Sequence, residues 1–246
     1  MTLRIFVAGA TGAIGRRIVP QLIRAGHTVT GMTRSKENAE MLRSIGVEPV
    51  LVDVFDADVV LSAVKNACPE IVIHQLTDLP KDLDPALMGH AILRNARIRS
   101  EGTRNLVRAA QAAGVRRLIA QSIGWAYAPG NEPYLESDPL DRGASGDRGI
   151  TVRGVIALED WTLKSSPLEG VVLRYGQLYG PGTHSDKPSV SAPVHVDAAA
   201  YAAVLAIERG GPGIYNVAQP NAYMKVEKAL AQLGWDPDFR LPPSDI

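Results

Sequence analysis

The sequence predicts an α/β fold: a parallel sheet with both faces covered by helices. Three observations carry this. Short runs rich in Val and Ile alternate with stretches of helical periodicity, the first such pair is joined by a glycine-rich turn, and 246 residues suit one large domain. Strands buried on both faces need no polar alternation, and the apolar runs here are nearly continuous.

Leu3 to Ala8 is apolar apart from Arg4 and is the first strand. Beyond the turn, Ile14, Ile18, Val19, Leu22 and Ile23 recur at helical spacing up to Gly26, a natural terminator. His27 to Met32 supplies a second strand, 36–45 a helix, Glu48 to Val52 a strand, Ala57 to Lys65 a helix and Glu70 to Leu76 a strand. A long helical stretch covers 86–113 and closes at Gly114, and Arg117 to Ser122 is the next strand. Two stretches crowded with Gly, Pro, Asp and Ser, Ala128 to Gly149 and Gly180 to Pro193, read as long loops of the kind found beside binding sites. Between them lie a helix, Val152 to Lys164, and a strand, Gly170 to Tyr175. Asp197 then caps an Ala-rich helix ending at Gly210, followed by a strand at Ile214 to Val217 and a short helix at Val226 to Leu233. The expected division is a nucleotide-binding core over 1–127, with 128–246 supplying the remaining sheet elements and a substrate-binding region within the same domain.

Lys plus Arg and Asp plus Glu both number 26, so no net field draws the chain to nucleic acid or an anionic membrane. No apolar run approaches a membrane span, and the opening MTLRIFVAGATGAIGRR reads as a first strand. The single cysteine, Cys68, excludes an intramolecular disulfide and points to a cytoplasmic location. The histidines and acids show no metal-ligand spacing such as HExxH.

In GATGAIG, Gly9, Gly12 and Gly15 sit where the first strand meets the first helix. Glycines there let the chain turn tightly, admit a pyrophosphate against bare N–H groups at the positive helix end and allow helix and strand to pack closely. The expected cofactor contacts of the turn are therefore Gly9, Thr11, Gly12, Ala13, Ile14 and Gly15.

With this turn, Asp53-Val54 after the third strand, GTRNL at 102–106, Ser122 with Tyr127 after it, LRYGQLYGPG at 173–182, HVD at 195–197 and IYNV at 214–217, the sequence resembles the extended and atypical short-chain dehydrogenase/reductases, in particular the NAD-dependent epimerase/dehydratase family. The resemblance covers nearly the whole chain. It implies a doubly wound Rossmann sheet that binds NAD or NADP, a small C-terminal region over the substrate, a small-molecule substrate and a homodimer. It also places Asp53 and Val54 at adenine, Gln75, Leu76 and Thr77 beneath the cofactor ribose and Tyr175 beside the cleft. Gln75 is larger than the residues usual there.

The turn after the second strand reads Thr33-Arg34-Ser35 and holds no acid for an NAD ribose. A guanidinium can instead pair with the 2′-phosphate of NADP, so NADP is expected before NAD; the plainer reading is a solvated loop arginine.

Hydride transfer at a carbonyl must be matched by proton transfer at oxygen. The family uses a Tyr four residues before a Lys, with a Glu four residues further on. If Glu159 is that Glu, the Lys position is Val155 and the Tyr position Thr151, and no tyrosine lies between Tyr134 and Tyr175. The family Asn before Gly-Thr is Arg99 here. Ser122, or Ile123 in a shifted alignment, stands at the substrate hydroxyl position. Tyr127, Tyr175 and Tyr179 are the hydroxyls expected near the cleft, with His184 and Asp186 on the following loop; Ser122 and Tyr127 are the catalytic candidates. Two functions are consistent with this pattern. One is an NAD(P)-binding oxidoreductase or epimerase/dehydratase-like enzyme acting on a small carbonyl metabolite or activated sugar through a non-standard proton relay. The other is a catalytically silent protein that senses NADP. The cleft loops favour the enzyme.

Overall fold

The computed structural model describes residues 1–80 and 83–242. In chain order the elements are β1 (Arg4–Ala8), α1 (Gly15–Arg24), β2 (Thr28–Thr33), α2 (Lys36–Ser44), β3 (Glu48–Leu51), α3 (Ala57–Ala67), β4 (Ile71–His74), α4 (Pro85–Arg97), α5 (Thr103–Ala112) and β5 (Arg117–Ile123). They continue with α6 (Gly146–Leu163), β6 (Glu169–Tyr175), β7 (Gln177–Tyr179), β8 (Pro193–His195), α7 (Val196–Leu205) and β9 (Gly213–Val217). Seven strands form one parallel sheet in the order β3-β2-β1-β4-β5-β6-β9, and β7 pairs with β8 in a separate ribbon. The order reverses direction between β1 and β4, the place where a doubly wound sheet opens a crevice at its C-terminal edge.

Alternate side chains of each strand serve opposite faces. Ile5, Val7, Ile71, Ile73, Ile119 and Leu173 pack with Ile18 and Leu22 of α1 and Ala199 and Ala203 of α7. Phe6, Val72, Leu118 and Ala120 pack on the other face with Val60, Leu106 and Leu158 of α3, α5 and α6. No described helix is long and apolar enough to cross a membrane.

Several boundaries differ from the sequence expectation. The 86–113 helix is interrupted by a wide π-helical turn at Ile98–Gly102. Helix α6 starts at Gly146, inside the expected loop, despite the helix-weakening glycines at 149 and 154. A Cβ on Gly154 would lie 2.9 Å from Ala96 Cα, so close contact with α4 explains that glycine. The cap of α7 is His195, whose ring Nδ1 accepts from the Asp197 N–H at 3.2 Å; Asp197 itself stands in the first turn, and the helix ends at Leu205 rather than Gly210. The last helix contracts mainly to a wide turn at Ala229–Leu233, and the β7–β8 ribbon lay in segments too short to register as strands.

Candidate active site

The glycines of the first turn divide by what the chain itself demands of them. Gly9 has φ 91°, and a Cβ there would press on the Gln75 carbonyl at 2.7 Å. A Cβ on Gly15 would overlap the Gly9 carbonyl oxygen. Gly12 has no such constraint, since its nearest neighbour would be the Gly9 oxygen at an ordinary 3.5 Å. The fold therefore needs Gly9 and Gly15, whereas Gly12 opens onto the cleft without a steric demand of its own. The N-termini of α2, α3 and α4 are capped by Ser35, Asp56 and Asp84, whereas no side chain caps α1. The Arg16 and Arg17 amides donate to the Gly12 and Ile14 carbonyls, and the positive end of the α1 dipole lies beside Gly12.

Two cavities meet over this turn and share Gly12, Gln75 and Thr77. The first, about 330 Å³, is lined by Gly9, Thr11, Arg34, Asp53, Val54 and Leu76, all expected cofactor contacts. It also takes in Met32, Thr33, Ser35, Asn38, Val52, Phe55 and Ile98, which sequence reasoning did not name; the turn after β2 and the Phe following Asp53-Val54 were the available signals. Asp53 Oδ1 accepts from the Phe55 N–H at 3.0 Å, while Oδ2 has no hydrogen-bond partner among the described residues. The Val54 carbonyl accepts from Asn105 Nδ2 at 2.9 Å, which ties this wall to α5. The half-exposed Arg34 reaches Asp78 Oδ2 at 3.5 Å, and Arg94 holds the same oxygen at 2.5 Å. Asn95 fixes the backbone of Asp78 by accepting from its N–H and donating to its carbonyl.

The second cavity, about 500 Å³, adds Ala13, Ile14, Asp78, Leu79, Pro80, Leu83, Gln121, Leu178, Gly182, Thr183 and His184. Ala13 and Ile14 were expected contacts; Gln121 and the 78–83 segment were not. Both amide atoms of Gln75 are buried without a partner at the junction of the cavities. Gly15 and Tyr175 line neither cavity. Tyr175 is buried next to the Gln75 side chain, and burial raises its hydroxyl pKa, an effect that Gln75 partly offsets.

The structure places the two catalytic candidates outside both cavities. Ser122 is buried on the α6 face of β5, where its hydroxyl donates to Glu159 Oε1 at 2.8 Å. Arg174 grips Glu159 with two bonds, Nε to Oε1 at 2.9 Å and Nη2 to Oε2 at 2.7 Å. Tyr127 is buried, stacked on Tyr134, and donates to Asn216 Oδ1 at 2.6 Å; burial raises its pKa despite the nearby Arg174. Neither lines either of these two cavities. Both hydroxyls are engaged within the scaffold. Thr151 and Val155 are buried, and Val155 packs with Ile123 and Tyr127. Tyr179 bonds Gln219, and Asp186 lines neither cavity. Among the described residues no cluster of His, Cys, Asp and Glu could hold a metal ion.

Below the cleft, His74 is buried at the end of β4 with Nε2 2.9 Å from Thr103 Oγ1 and Nδ1 accepting from the Leu76 N–H. Burial, aided by the neighbouring Arg99 guanidinium, pushes its pKa down to about 4. Burial also lowers the pKa of Arg99 to about 10.

A family model described as NAD(P)H-binding matches residues 9–191. The chain is 41% identical over 238 residues to a 3-diazoavenalumate denitrifying reductase from a Streptomyces species, covering 87% of this chain and 75% of that protein. It is 30% identical to a dTDP-4-dehydrorhamnose reductase from Streptomyces griseus over 73% of this chain, and spans about half (51%) of that relative's length. In structure it resembles the Thermotoga maritima UDP-glucose 4-epimerase, with a TM-score of 0.75 at 20% identity over 96% of this chain and 94% of the other. These neighbours lie in the NAD-dependent epimerase/dehydratase group, and the last of them shows the fold alone.

Two predictions follow from this geometry. Gly12→Val should abolish dinucleotide binding, measured by calorimetry, and leave the unfolding midpoint near wild type, because the added side chain meets only ligand space. Gly15→Val, by contrast, should unfold the chain. For His74, the unfolded imidazole titrates near 6.5 and the folded one near 4, so between these values only the unfolded state takes up the proton. Urea midpoints should therefore fall from pH 6.5 to 4, a loss on the order of 3 kcal/mol. That component should be absent in His74→Gln.

Proposed function

The chain belongs to the NAD(P)H-binding family, and from that premise we propose that it is an NADPH-dependent reductase of a small carbonyl metabolite in which His184 supplies the proton. The observation that carries the choice of NADPH is the lining of the first cavity at the β2–α2 turn. Arg34, Ser35 and Asn38 offer cationic and polar groups there, and no carboxylate stands at the end of β2 to accept from a ribose hydroxyl. The 3.5 Å pair between Arg34 and Asp78 is half-exposed and weak, so a phosphate dianion competes for the guanidinium effectively. The α1 amides and Gly12 receive the pyrophosphate, and Asp53 and Val54 edge the adenine end.

The bound cofactor supplies hydride; the protein must bring a proton to the substrate oxygen. Ser122, Tyr127 and Tyr175 are enclosed away from both cavities. Two titratable side chains line the second cavity among the described residues, Asp78 and His184. Asp78 is engaged by two arginines. His184 is exposed on the 180–193 loop, so its imidazole can pass a proton inward and regain it from water. Identity of 41% to a reductase supports the direction of the reaction.

Arg34→Ala is expected to cost about 1.5 to 3 kcal/mol of NADPH affinity and to leave NADH nearly unchanged in calorimetric titrations. Equal losses for both would remove Arg34 from the phosphate site. His184→Gln should lower turnover by about 10²- to 10⁴-fold while NADPH affinity holds. Undiminished turnover in the variant would overturn the assignment. NADPH binding without turnover of any carbonyl would favour a nucleotide-sensing role instead.

A further inference from the structure

The HVD run at 195–197 lines neither cavity, yet its aspartate is the centre of a buried polar cluster. Asp197, in the first turn of α7, has a side chain only 4% exposed and lies between two partners. Arg17 Nε of α1 is 3.5 Å from Oδ1, and the His195 ring is 3.6 Å from Oδ2. Oδ2 also accepts from the Leu241 N–H at 3.1 Å. Both partners reach the same loop. Arg17 is buried in the first turn of α1 and its Nη2 donates to the Pro181 carbonyl at 3.4 Å. The His195 ring lies against Gly180, where a Cβ would come within 2.6 Å of Nε2.

Residues 180–185 close on themselves. The Gly180 N–H donates to the Ser185 carbonyl at 2.8 Å, and the Thr183 hydroxyl donates to the Gly180 carbonyl at 2.7 Å. A turn bonded in this way moves as a unit, and it presents Gly182, Thr183 and His184 to the second cavity.

We propose that Arg17 and Asp197 are positioning residues, whose buried ion pair ties α1 to the 180–185 turn and so holds His184 over the second cavity. The inference rests on the reading that the substrate enters this cavity and that His184 acts there. A guanidinium taken out of water needs a carboxylate beside it, and Asp197 supplies one. Its planar fork can then engage Asp197 through Nε and the Pro181 carbonyl through Nη2 at once, which the single ammonium of a lysine cannot do. Nη1 makes no hydrogen bond among the described residues, so these two contacts hold the group. Helix α1 also follows Gly12, so the cofactor turn and the His184 turn are set against one rigid element. The gap between hydride and proton is thereby fixed, where an error of about 1 Å can cost on the order of 10²-fold in rate.

The test is hydrogen–deuterium exchange of the full chain, read by mass spectrometry, which does not depend on turnover. Arg17→Lys keeps a cation beside Asp197, so the unfolding midpoint and exchange in β6 should stay near wild type, whereas exchange across 180–185 should quicken about tenfold. Asp197→Asn should loosen the same turn. With 4-nitrobenzaldehyde as a carbonyl probe, Arg17→Lys should lower kcat about tenfold or more, leave KM for NADPH unchanged and have no further effect in a His184→Gln background. Unchanged exchange across 180–185 in both variants would overturn the proposal, as would an equal rise over the whole chain, the mark of a pair that serves stability alone. Loosening confined to the turn, together with undiminished turnover of His184→Gln, would leave the anchoring role standing and count against His184 as the proton donor.

Discussion

The backbone of Gly9 lies against the carbonyl of Gln75, and the rest of the site is arranged around that approach. It occurs where the strand order reverses between β1 and β4, so the two chains leaving the sheet diverge and leave a crevice. A side chain at Gly9 or Gly15 would force the turn away from the sheet and tilt α1 with it. The same approach brings Gln75 and Thr77 to the junction of both cavities, next to Gly12. One steric requirement thus fixes the position of α1 and the boundary between the two halves of the cleft.

On the opposite face, a buried polar network does for the 124–145 segment what the glycines do for the turn. Glu159 accepts from Ser122 and from two nitrogens of Arg174, whose third nitrogen reaches the Glu136 carbonyl at 3.2 Å. Glu136 in turn accepts from the Asn216 N–H, and Asn216 holds Tyr127. Taking both charges out of water is expensive, and the cost is tolerated because the carboxylate oxygens of Glu159 are matched by donors. Truncating either partner would strand a buried charge, which makes these residues poor agents of proton transfer and good anchors.

The sheet was legible because its strands are continuous apolar runs punctuated by glycine turns, and the first cavity because the glycine turn and Asp53-Val54 carry a specific local pattern. The facing of side chains was not legible. In a parallel strand buried on both sides, neither face is marked by polarity, so QSIG offered Ser122 while the structure turns Gln121 to the cleft. Helix α6 was hidden by Gly149 and Gly154, whose cost in propensity is overridden by contact with Ala144 and α4. The part of the wall made by Leu79, Pro80 and Leu83 was hidden for another reason: these residues follow no periodicity, and only tertiary placement brings them to one cavity.

Asp78 joins the two halves electrostatically. It lines the second cavity while pairing with Arg34, which lines the first. Were Arg34 its sole partner, a phosphate on that guanidinium would leave a bare carboxylate facing an apolar pocket, at a cost in solvation. Arg94, closer at 2.5 Å, prevents this, and Asn95 holds the backbone in place. Loss of the Arg34 contact would therefore still leave Asp78 paired with Arg94, and the backbone between the two cavities would stay in place.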